Sequence, residues 1–272
     1  MASESTGVDY SLIHKLDSPA NRLLREFVWD QGDDLGQQSF ATPRYFDRLI
    51  DVAGLDTGMH VLDLGSGTGG PSVYIATRSG CAITGVEVNE VGIRYAGQLA
   101  AASGLGDRVT FVQADGMRLP FADATFDAAI SLNVLNVFAD KVALFREVRR
   151  VLRPGGRLAF LSGTFEFGPG DEETRDLLER GYAVQQYFDS IESYKQKLRE
   201  AGFVVDEIIE YISDFRAKVA RWRQGWIENR DAIAAEQGAE QTDHHIEYFG
   251  RYLAMIDAGR ASNQLVVATR AD

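Results

Sequence analysis

Glycines and acidic residues that follow apolar segments are the residues of this sequence best suited to chemistry. The mostly apolar run at 60–64 leads into Gly65, Gly67 and Gly69, which predicts a short buried strand that turns sharply into a helix. Glycine leaves the backbone open to a ligand, and the amide N–H groups at a helix start favour an anionic or polar group. The turn therefore indicates the floor of a nucleotide-like cofactor site. Because positions 65, 67 and 70 also match the G-x-G-x-x-G spacing of dinucleotide-binding proteins, the turn alone does not identify the cofactor.

Two carboxylates lie at the ends of the next two predicted strands. Residues 82–87 form a predicted strand that ends in Glu87, about 20 residues after the glycines, where an acid that binds ribose hydroxyls is expected. The next predicted strand, 109–115, ends in Asp115, which can accept a hydrogen bond from an adenine amino group while Met117 covers the ring. The alternatives are that Glu87 is a surface carboxylate and that Asp115 caps the following turn.

Further predicted strands alternate with helices and complete the framework that positions these residues. A fourth strand over 126–133 precedes an amphipathic helix over 141–152, which the Arg-Pro-Gly-Gly sequence at 153–156 ends. Three more strands are predicted over 157–162, 203–210 and 264–269. This alternation favours an α/β fold with a doubly wound, mostly parallel sheet. Cofactors in such sheets bind beyond the carboxyl ends of the strands.

The ordered set of motifs resembles the class I S-adenosylmethionine-dependent methyltransferases. The resemblance is carried by 61–69, Glu87, Ala114 with Asp115, 119–121 and 152–156. A nicotinamide enzyme is not expected to carry the Asp115 segment and the Arg-Pro-Gly-Gly turn together. The order looks most like the small-molecule branch, which includes quinone, phosphobase and natural-product methyltransferases. The resemblance implies a seven-stranded sheet whose last strand is antiparallel, with S-adenosyl-L-methionine as cofactor and S-adenosyl-L-homocysteine as product.

The resemblance also implies which residues bind the cofactor. The glycines of the turn would approach its methionine part, Asp63 would order the loop or reach the ammonium through water, and residues 131–133 would pass beside the methyl group. The full predicted set is Asp63, Gly65, Ser66, Gly67, Gly69, Glu87, Val88, Asp115, Gly116, Met117, Ser131 and Asn133.

The expected reaction is direct displacement, in which the protein aligns the acceptor with the methyl group and excludes water. An oxygen or carbon acceptor can need a general base, whereas a neutral amine need not. Many relatives place a histidine soon after the fourth strand, but the nearest residue here is Asn136, which cannot take a proton. We expect Asn133 or Asn136 to orient the acceptor instead. The other candidate catalytic residues are Tyr10, His14 and Glu166.

Two segments lie outside the predicted core of this single domain, which spans 1–272. Residues 1–40 are expected to form an N-terminal lid and 41–210 the cofactor-binding core. Residues 211–262 are expected to form a helical cap of two helices over the acceptor pocket, and 263–272 the last strand. Several arginines in the cap, including Arg216, Arg221 and Arg223, are either a solvated basic face or an anion-binding wall for the acceptor.

Composition limits the class of partner. The 272 residues are long enough for one sizeable core, and the net charge of −12 argues against a nucleic-acid binder. No apolar run approaches the roughly 20 residues that cross a bilayer, and positions 1–6 lack the pattern of a signal peptide. With one cysteine, the sequence predicts a cytoplasmic protein with no membrane partner. It leaves the oligomeric state, including a homo-oligomer, open.

The sequence therefore predicts an enzyme that transfers a methyl group to an N or O atom of a small-molecule metabolite. The alternatives are a C-methyltransferase of a small molecule, a non-catalytic cofactor-binding protein on the same fold, and an enzyme that modifies RNA or protein.

Overall fold

The computed structural model describes residues 18–37, 39–181 and 184–272. Within them, one seven-stranded sheet has the order β3-β2-β1-β4-β5-β7-β6. The strands are β1 His60–Leu64, β2 Ala82–Glu87, β3 Val109–Gln113, β4 Phe126–Leu132, β5 Leu152–Phe165, β6 Phe203–Glu210 and β7 Ala261–Arg270. β7 runs antiparallel between β5 and β6, and the pairings among β1 to β5 are parallel. The predicted fold class is confirmed.

Helices cover both faces of the sheet and one end of it. They are α1 Pro19–Val28, α2 Pro43–Ala53, α3 Gly70–Ser79, α4 Glu90–Ala102, α5 Lys141–Val151, α6 Glu172–Arg180, α7 Ile191–Glu200, α8 Ile212–Glu228, α9 Arg230–Gln237 and α10 Ala239–Asp257. A short 3-10 turn, Leu135–Val137, follows β4. No helix among the described residues is both long and apolar enough to cross a bilayer.

Two local predictions differ from the structure. The segment after β6 folds into three helices because Gly238, with φ of 95°, separates α9 from α10. The Arg-Pro-Gly-Gly segment ends α5 as predicted, but it forms an irregularity in β5: Phe126 pairs with Leu152, whereas Ala128 pairs with Arg157. The extra residues bulge out because proline cannot donate to the ladder.

Three hydrophobic clusters hold the molecule together. Two of them lie on opposite faces of the sheet, and the alternating side chains of β1 show the division, since Leu62 belongs to one cluster and Val61 to the other. The third joins α1 to α8, α9 and α10 and includes Leu24, Trp222 and Phe249. The N-terminal helix is therefore packed on the helices after β6, beyond the carboxyl ends of the parallel strands.

Candidate active site

A cavity of about 900 Å³ lies where the parallel strands end and extends under the helices that follow β6. We call the part lined by the loops after β1, β2 and β3, and by the residues after β4 other than Asn136, the cofactor half. The acceptor half is the part lined by Phe40, Asn136, Gly163, Val184, Gln186, Tyr187, Phe188, Trp222, Tyr248, Phe249 and Tyr252. The two halves are continuous, so two small molecules can meet inside.

The glycine turn after β1 is shaped by close packing within the protein. Gly65 and Gly69 have φ of 75° and 82°, a left-handed conformation that glycine adopts without strain. A Cβ at Gly65 would lie 2.7 Å from Val134, and one at Gly69 would lie 2.7 Å from Ala96. We expected these positions to make room for a ligand, but neighbouring protein segments use that room. Gly65 still lines the cavity through its backbone, whereas Gly69 does not line it.

Asp63 lies under this turn and is almost completely buried, with 1% exposure. Its Oδ2 accepts a hydrogen bond of 2.5 Å from the Ser72 hydroxyl, whereas Oδ1 has no partner among the described residues. Burial raises the pKa of Asp63 to about 6, and the negative charge of Glu87 adds to the rise. A buried carboxylate oxygen without a partner is costly, so this part of the cavity suits a cationic group.

Two further buried polar atoms at the cavity lack a partner among the described residues. They are the hydroxyl of Ser66 and Nδ2 of Asn133, and both residues line the cavity. Asn133 has φ of 57°, and its Oδ1 accepts a hydrogen bond of 3.3 Å from Nδ2 of Asn263. Together with Asp63, these residues offer an acceptor and two donors, the set that complements the ammonium and carboxylate of an amino acid.

The acids after β2 and β3 occupy different environments. Glu87 is 8% exposed, and its two oxygens accept hydrogen bonds from the backbone N–H groups of Gly67 and Asn89 at 3.1 and 2.9 Å. It thus orders the glycine turn while lining the cavity. Asp115 is exposed, and its Oδ1 accepts from the backbone N–H of Met117 at 2.9 Å. It therefore caps the turn, as in the alternative interpretation, and also lines the cavity.

Val88, Gly116 and Met117 complete the predicted cofactor residues that line the cavity. Val88 is 50% exposed at the rim, and a Cβ at Gly116 would lie 2.8 Å from Leu64. Ser131 does not line the cavity, because its buried hydroxyl donates to the carbonyl oxygen of Leu64 inside the sheet. Of the segment 131–133, Leu132 and Asn133 line the cavity and Ser131 does not. The structure therefore gives no support for a contact of Ser131 with the cofactor, and the position of the segment beside the methyl group stays a prediction.

The predicted catalytic residues are not brought together. Asn133 and Asn136 line the cavity, whereas Glu166 is exposed and does not line it. The structure therefore does not support Glu166 as a base, since a base must lie within hydrogen-bond reach of the acceptor. Tyr10 and His14 lie outside the described residues.

The acceptor half is aromatic, and most of its lining residues are not identifiable from the sequence pattern. Among the described residues that line this half, none has a charged side chain. Trp222 stacks on Phe249 with ring centroids 6.2 Å apart, and Phe40 meets Tyr252 edge to face at 5.9 Å. The sequence predicts a helical cap over the acceptor pocket, but the helical spacing of its apolar residues is equally typical of core packing, so the spacing does not show which of them line the pocket.

Lys141 also has a structural role at the cavity that the sequence did not predict. Its ammonium is buried, at 1% exposure, and donates to the carbonyl oxygens of Phe138 and Tyr187 at 3.1 and 2.6 Å. It also pairs with Asp189 at 2.9 Å. Since Phe138 lines the cofactor half and Tyr187 the acceptor half, Lys141 joins the two walls. Burial lowers the pKa of Lys141, while Asp189 opposes that effect.

The cap arginines face away from the cavity. Arg216 pairs with Asp257 and Arg221 with Asp30, and neither arginine lines the cavity. Arg223 does not line it either. The solvated basic face is therefore supported for Arg216 and Arg221, which form ion pairs at the surface. Arg223 is half-buried, and its Nε lacks a partner among the described residues. Because none of the three lines the cavity, the structure does not support the anion-binding wall.

The fold and this cavity together define a class of protein. An α/β sheet with an antiparallel β7 between β5 and β6, a glycine turn after β1, and acids after β2 and β3 form a site for an adenosine cofactor beside a chamber for a second small molecule. The buried polar atoms of Asp63, Ser66 and Asn133 that lack a partner among the described residues fit a cofactor with an amino-acid end.

Comparison with known proteins identifies the family. A domain family described as "Methyltransferase domain" matches residues 62–160. The 27-O-demethylrifamycin SV methyltransferase of Amycolatopsis mediterranei (strain S699) is 32% identical over 267 residues, which cover 94% of this chain and 93% of that protein. A sterol 24-C-methyltransferase of Gibberella zeae is 33% identical over 197 residues, or 66% of this chain and 50% of that protein.

A solved structure shows the same fold. Phosphoethanolamine N-methyltransferase 2 of Haemonchus contortus, in complex with phosphomonomethylethanolamine and S-adenosylhomocysteine, superposes with a TM-score of 0.77 at 18% identity. The match covers 96% of this chain and 59% of that one. The chain belongs to the class I S-adenosylmethionine-dependent methyltransferases. It is a methyltransferase of small molecules, and S-adenosyl-L-methionine is its cofactor.

Proposed function

We propose that the protein transfers the methyl group of S-adenosyl-L-methionine to an N or O atom of a largely apolar metabolite. The observation that carries this proposal is the aromatic acceptor half, which opens directly onto the cofactor half. Aromatic walls bind apolar skeletons by burying their surface. The described lining of this half has no charged side chain to pair with a phosphate, which argues against a phosphobase acceptor.

The polar atoms of the cofactor half support a role for five of the predicted residues. Oδ1 of Asp63 would accept from the cofactor ammonium, because that oxygen is buried and lacks a partner among the described residues. Nδ2 of Asn133 and the hydroxyl of Ser66 would donate to its carboxylate. Glu87 would accept from the ribose hydroxyls, and Asp115 from the adenine amino group. When bound, the cofactor supplies a positively charged sulfonium whose methyl carbon is electrophilic.

We also propose that the N-terminal segment 1–40, of which the structure describes 18–37 and 39–40, acts as a lid. Gly36 and Gln37 line the cavity, and the Thr68 hydroxyl donates to the Gly36 carbonyl oxygen at 2.9 Å. On the other side, Lys218 donates to the carbonyl oxygen of Val28 at 3.2 Å. This segment thus connects the glycine turn to the cap, and its closure would exclude water from the methyl transfer.

A heteroatom acceptor is supported by the relative that matches over nearly the full chain, since its name specifies O-methylation of a demethylrifamycin. Transfer to carbon is the second candidate. The aromatic faces of Trp222, Phe249 and Tyr252 favour it, because they could stabilise a developing cation. A shorter relative is named as a sterol 24-C-methyltransferase.

Product analysis separates these candidates. The purified protein is incubated with methyl-¹³C-labelled S-adenosylmethionine and a panel of macrocyclic alcohols, phenols, aryl amines, sterols and phosphobases. The expected product contains the labelled carbon bonded to oxygen or nitrogen, as shown by its NMR shift and its long-range couplings. A labelled carbon bonded only to carbon would reject the proposed acceptor atom, and preferred methylation of phosphobases would reject the apolar acceptor class.

A further inference from the structure

The side-chain amide of Asn136 is held in one orientation on the floor of the acceptor half. Its Oδ1 lies 3.2 Å from the hydroxyl oxygens of both Ser162 and Tyr194, and these two oxygens are 2.8 Å apart. Because each hydroxyl carries one proton, one hydroxyl donates to Oδ1 while the other donates to the first hydroxyl. Both residues are 0% exposed. Because Oδ1 is engaged in this buried network, the amide is left to present the N–H groups of Nδ2 to a bound molecule.

A second donor lies beside this amide. A Cβ built on Gly163 would lie 2.7 Å from the Tyr252 hydroxyl and 3.7 Å from Nδ2 of Asn136, so both groups lie over the same glycine. All three residues line the cavity. Burial keeps the pKa of Tyr252 well above 10, so its hydroxyl stays protonated at neutral pH. The floor of the acceptor half therefore offers one N–H and one O–H donor in an aromatic surrounding.

Donors at this position discriminate between acceptor atoms. A neutral amine nitrogen has a single lone pair, which must attack the methyl carbon, so a hydrogen bond to that lone pair blocks the reaction. An oxygen keeps further lone pairs, which can accept hydrogen bonds from Asn136 and Tyr252 while one lone pair attacks. The arrangement therefore favours an oxygen acceptor over a nitrogen acceptor.

The proton of the acceptor must also be accounted for. A neutral hydroxyl loses its proton as the new C–O bond forms and the C–S bond breaks, and a base must receive that proton. Among the described side chains of the acceptor half there is no carboxylate, imidazole or amine. A phenol or an enol can ionise in water before it binds, so that the oxyanion attacks, a neutral ether and a thioether form, and no proton remains to be removed.

We infer that Asn136 is a specificity-determining hydrogen-bond donor that selects a phenolate or enolate oxygen as the methyl acceptor. This inference rests on the proposed methylation of a heteroatom and names its substrate class. Two neutral donors stabilise the oxyanion, and the positive sulfonium offsets its charge. Preorganised donors of this kind stabilise an oxyanion without reorganisation.

The first test uses the unmodified protein with four probes that share a fused two-ring carbon skeleton: 2-naphthol, 6-cyano-2-naphthol, decahydro-2-naphthol and 2-naphthylamine. We expect the pH midpoint of kcat/KM to follow the pKa of each naphthol. The saturated alcohol and the amine should both react more slowly than 2-naphthol, because the alcohol does not ionise near neutral pH and the single lone pair of the amine is engaged by the donors. A midpoint that is identical for both naphthols, or preferred methylation of the alcohol or amine, would overturn the inference and leave the proposed function intact. If none of these probes is methylated although the wider acceptor panel gives an O- or N-methylated product, the inference alone fails; if that panel gives none either, the proposed function fails as well.

The second test uses variants at the floor. Asn136→Asp and Asn136→Leu should each lower kcat/KM for 2-naphthol by about 100-fold or more, while binding of S-adenosylhomocysteine, measured by calorimetry, changes less than about threefold. Gln185→Glu is the matched control, because Gln185 is exposed on the neighbouring segment and does not line the cavity. Full activity of Asn136→Leu on 2-naphthol, with intact binding of S-adenosylhomocysteine, would contradict the assignment.

Discussion

Asp63→Asn should make the free protein more stable and the cofactor bind more weakly. Burial raises the pKa of the Asp63 carboxyl from its usual 3.8 to about 6, so the folded protein binds this proton more tightly than the unfolded chain does. Stability from this group is therefore present at low pH and is lost as pH rises from about 4 to about 6. At about 1.4 kcal/mol per pKa unit, the loss at pH 7 is about 3 kcal/mol. A neutral amide at position 63 avoids the loss.

The same substitution removes the carboxylate that we assign to the cofactor ammonium. Loss of one partner of a buried charge pair costs about 2–5 kcal/mol, and since each 1.4 kcal/mol is tenfold, we expect binding to weaken by about 30-fold or more. In the unmodified protein, the affinity for S-adenosylhomocysteine should fall by about tenfold per pH unit below the pKa of about 6. In Asp63→Asn this pH dependence should disappear.

Two assays check this prediction. Urea unfolding of the free protein at pH 7.5 should show a free energy of unfolding that is higher by about 1–3 kcal/mol, and calorimetry with S-adenosylhomocysteine between pH 5 and 8 should show the weaker, pH-independent binding. Asp107→Asn is the control for charge, because Asp107 is exposed. Unchanged binding of S-adenosylhomocysteine by Asp63→Asn, or a less stable free protein, would refute the reasoning.

Three other predictions follow from buried contacts and from one exposed ion pair. Lys141→Met should lower the free energy of unfolding by about 2 kcal/mol or more, because it leaves the carbonyl oxygens of Phe138 and Tyr187 without this donor, while Asp189 keeps its pair with Lys197. Lys195→Met, at an exposed pair, should change it by less than about 1 kcal/mol in urea titrations. Gly65→Ala should weaken calorimetric binding of S-adenosylhomocysteine, since φ of 75° and the 2.7 Å contact both oppose a side chain. Gly97→Ala, in open space on α4, should stabilise the protein by about 0.5–1 kcal/mol. Arg216→Ala should leave the acceptor KM unchanged. A severalfold rise in that KM would instead support the hypothesis that the cap arginines bind an anionic group of the acceptor.

The sheet and the cofactor half were predictable because they follow from local patterns. The apolar run before Gly65, the acid at Glu87 and the turn after α5 each mark a strand end or a helix end within a few residues. The placement of those ends at one edge is a consequence of parallel strands. The role of Gly69 was less predictable, because the close contact with Ala96 joins segments that are distant in the sequence.

The acceptor half depends on contacts that no local pattern encodes. Asn136 is oriented by Ser162 and Tyr194, and the three residues come from three different elements. Tyr252 reaches the floor only because Gly163 has no side chain. Glu166 follows the strand that carries Gly163, but its side chain is exposed. A residue that is close in sequence to a cavity-lining residue therefore need not line the cavity itself.

The hydrogen bonds from Lys141 to the backbone suggest how the protein can be engineered to methylate other acceptors. Its ammonium binds main-chain oxygens of Phe138 and Tyr187 rather than their side chains, and the backbone N–H of Tyr187 donates to the Asn136 carbonyl oxygen at 2.6 Å. Side chains at Val184 and Phe188 can therefore be exchanged while the backbone stays anchored. Libraries that recruit new acceptors should vary these positions first and keep the lysine constant.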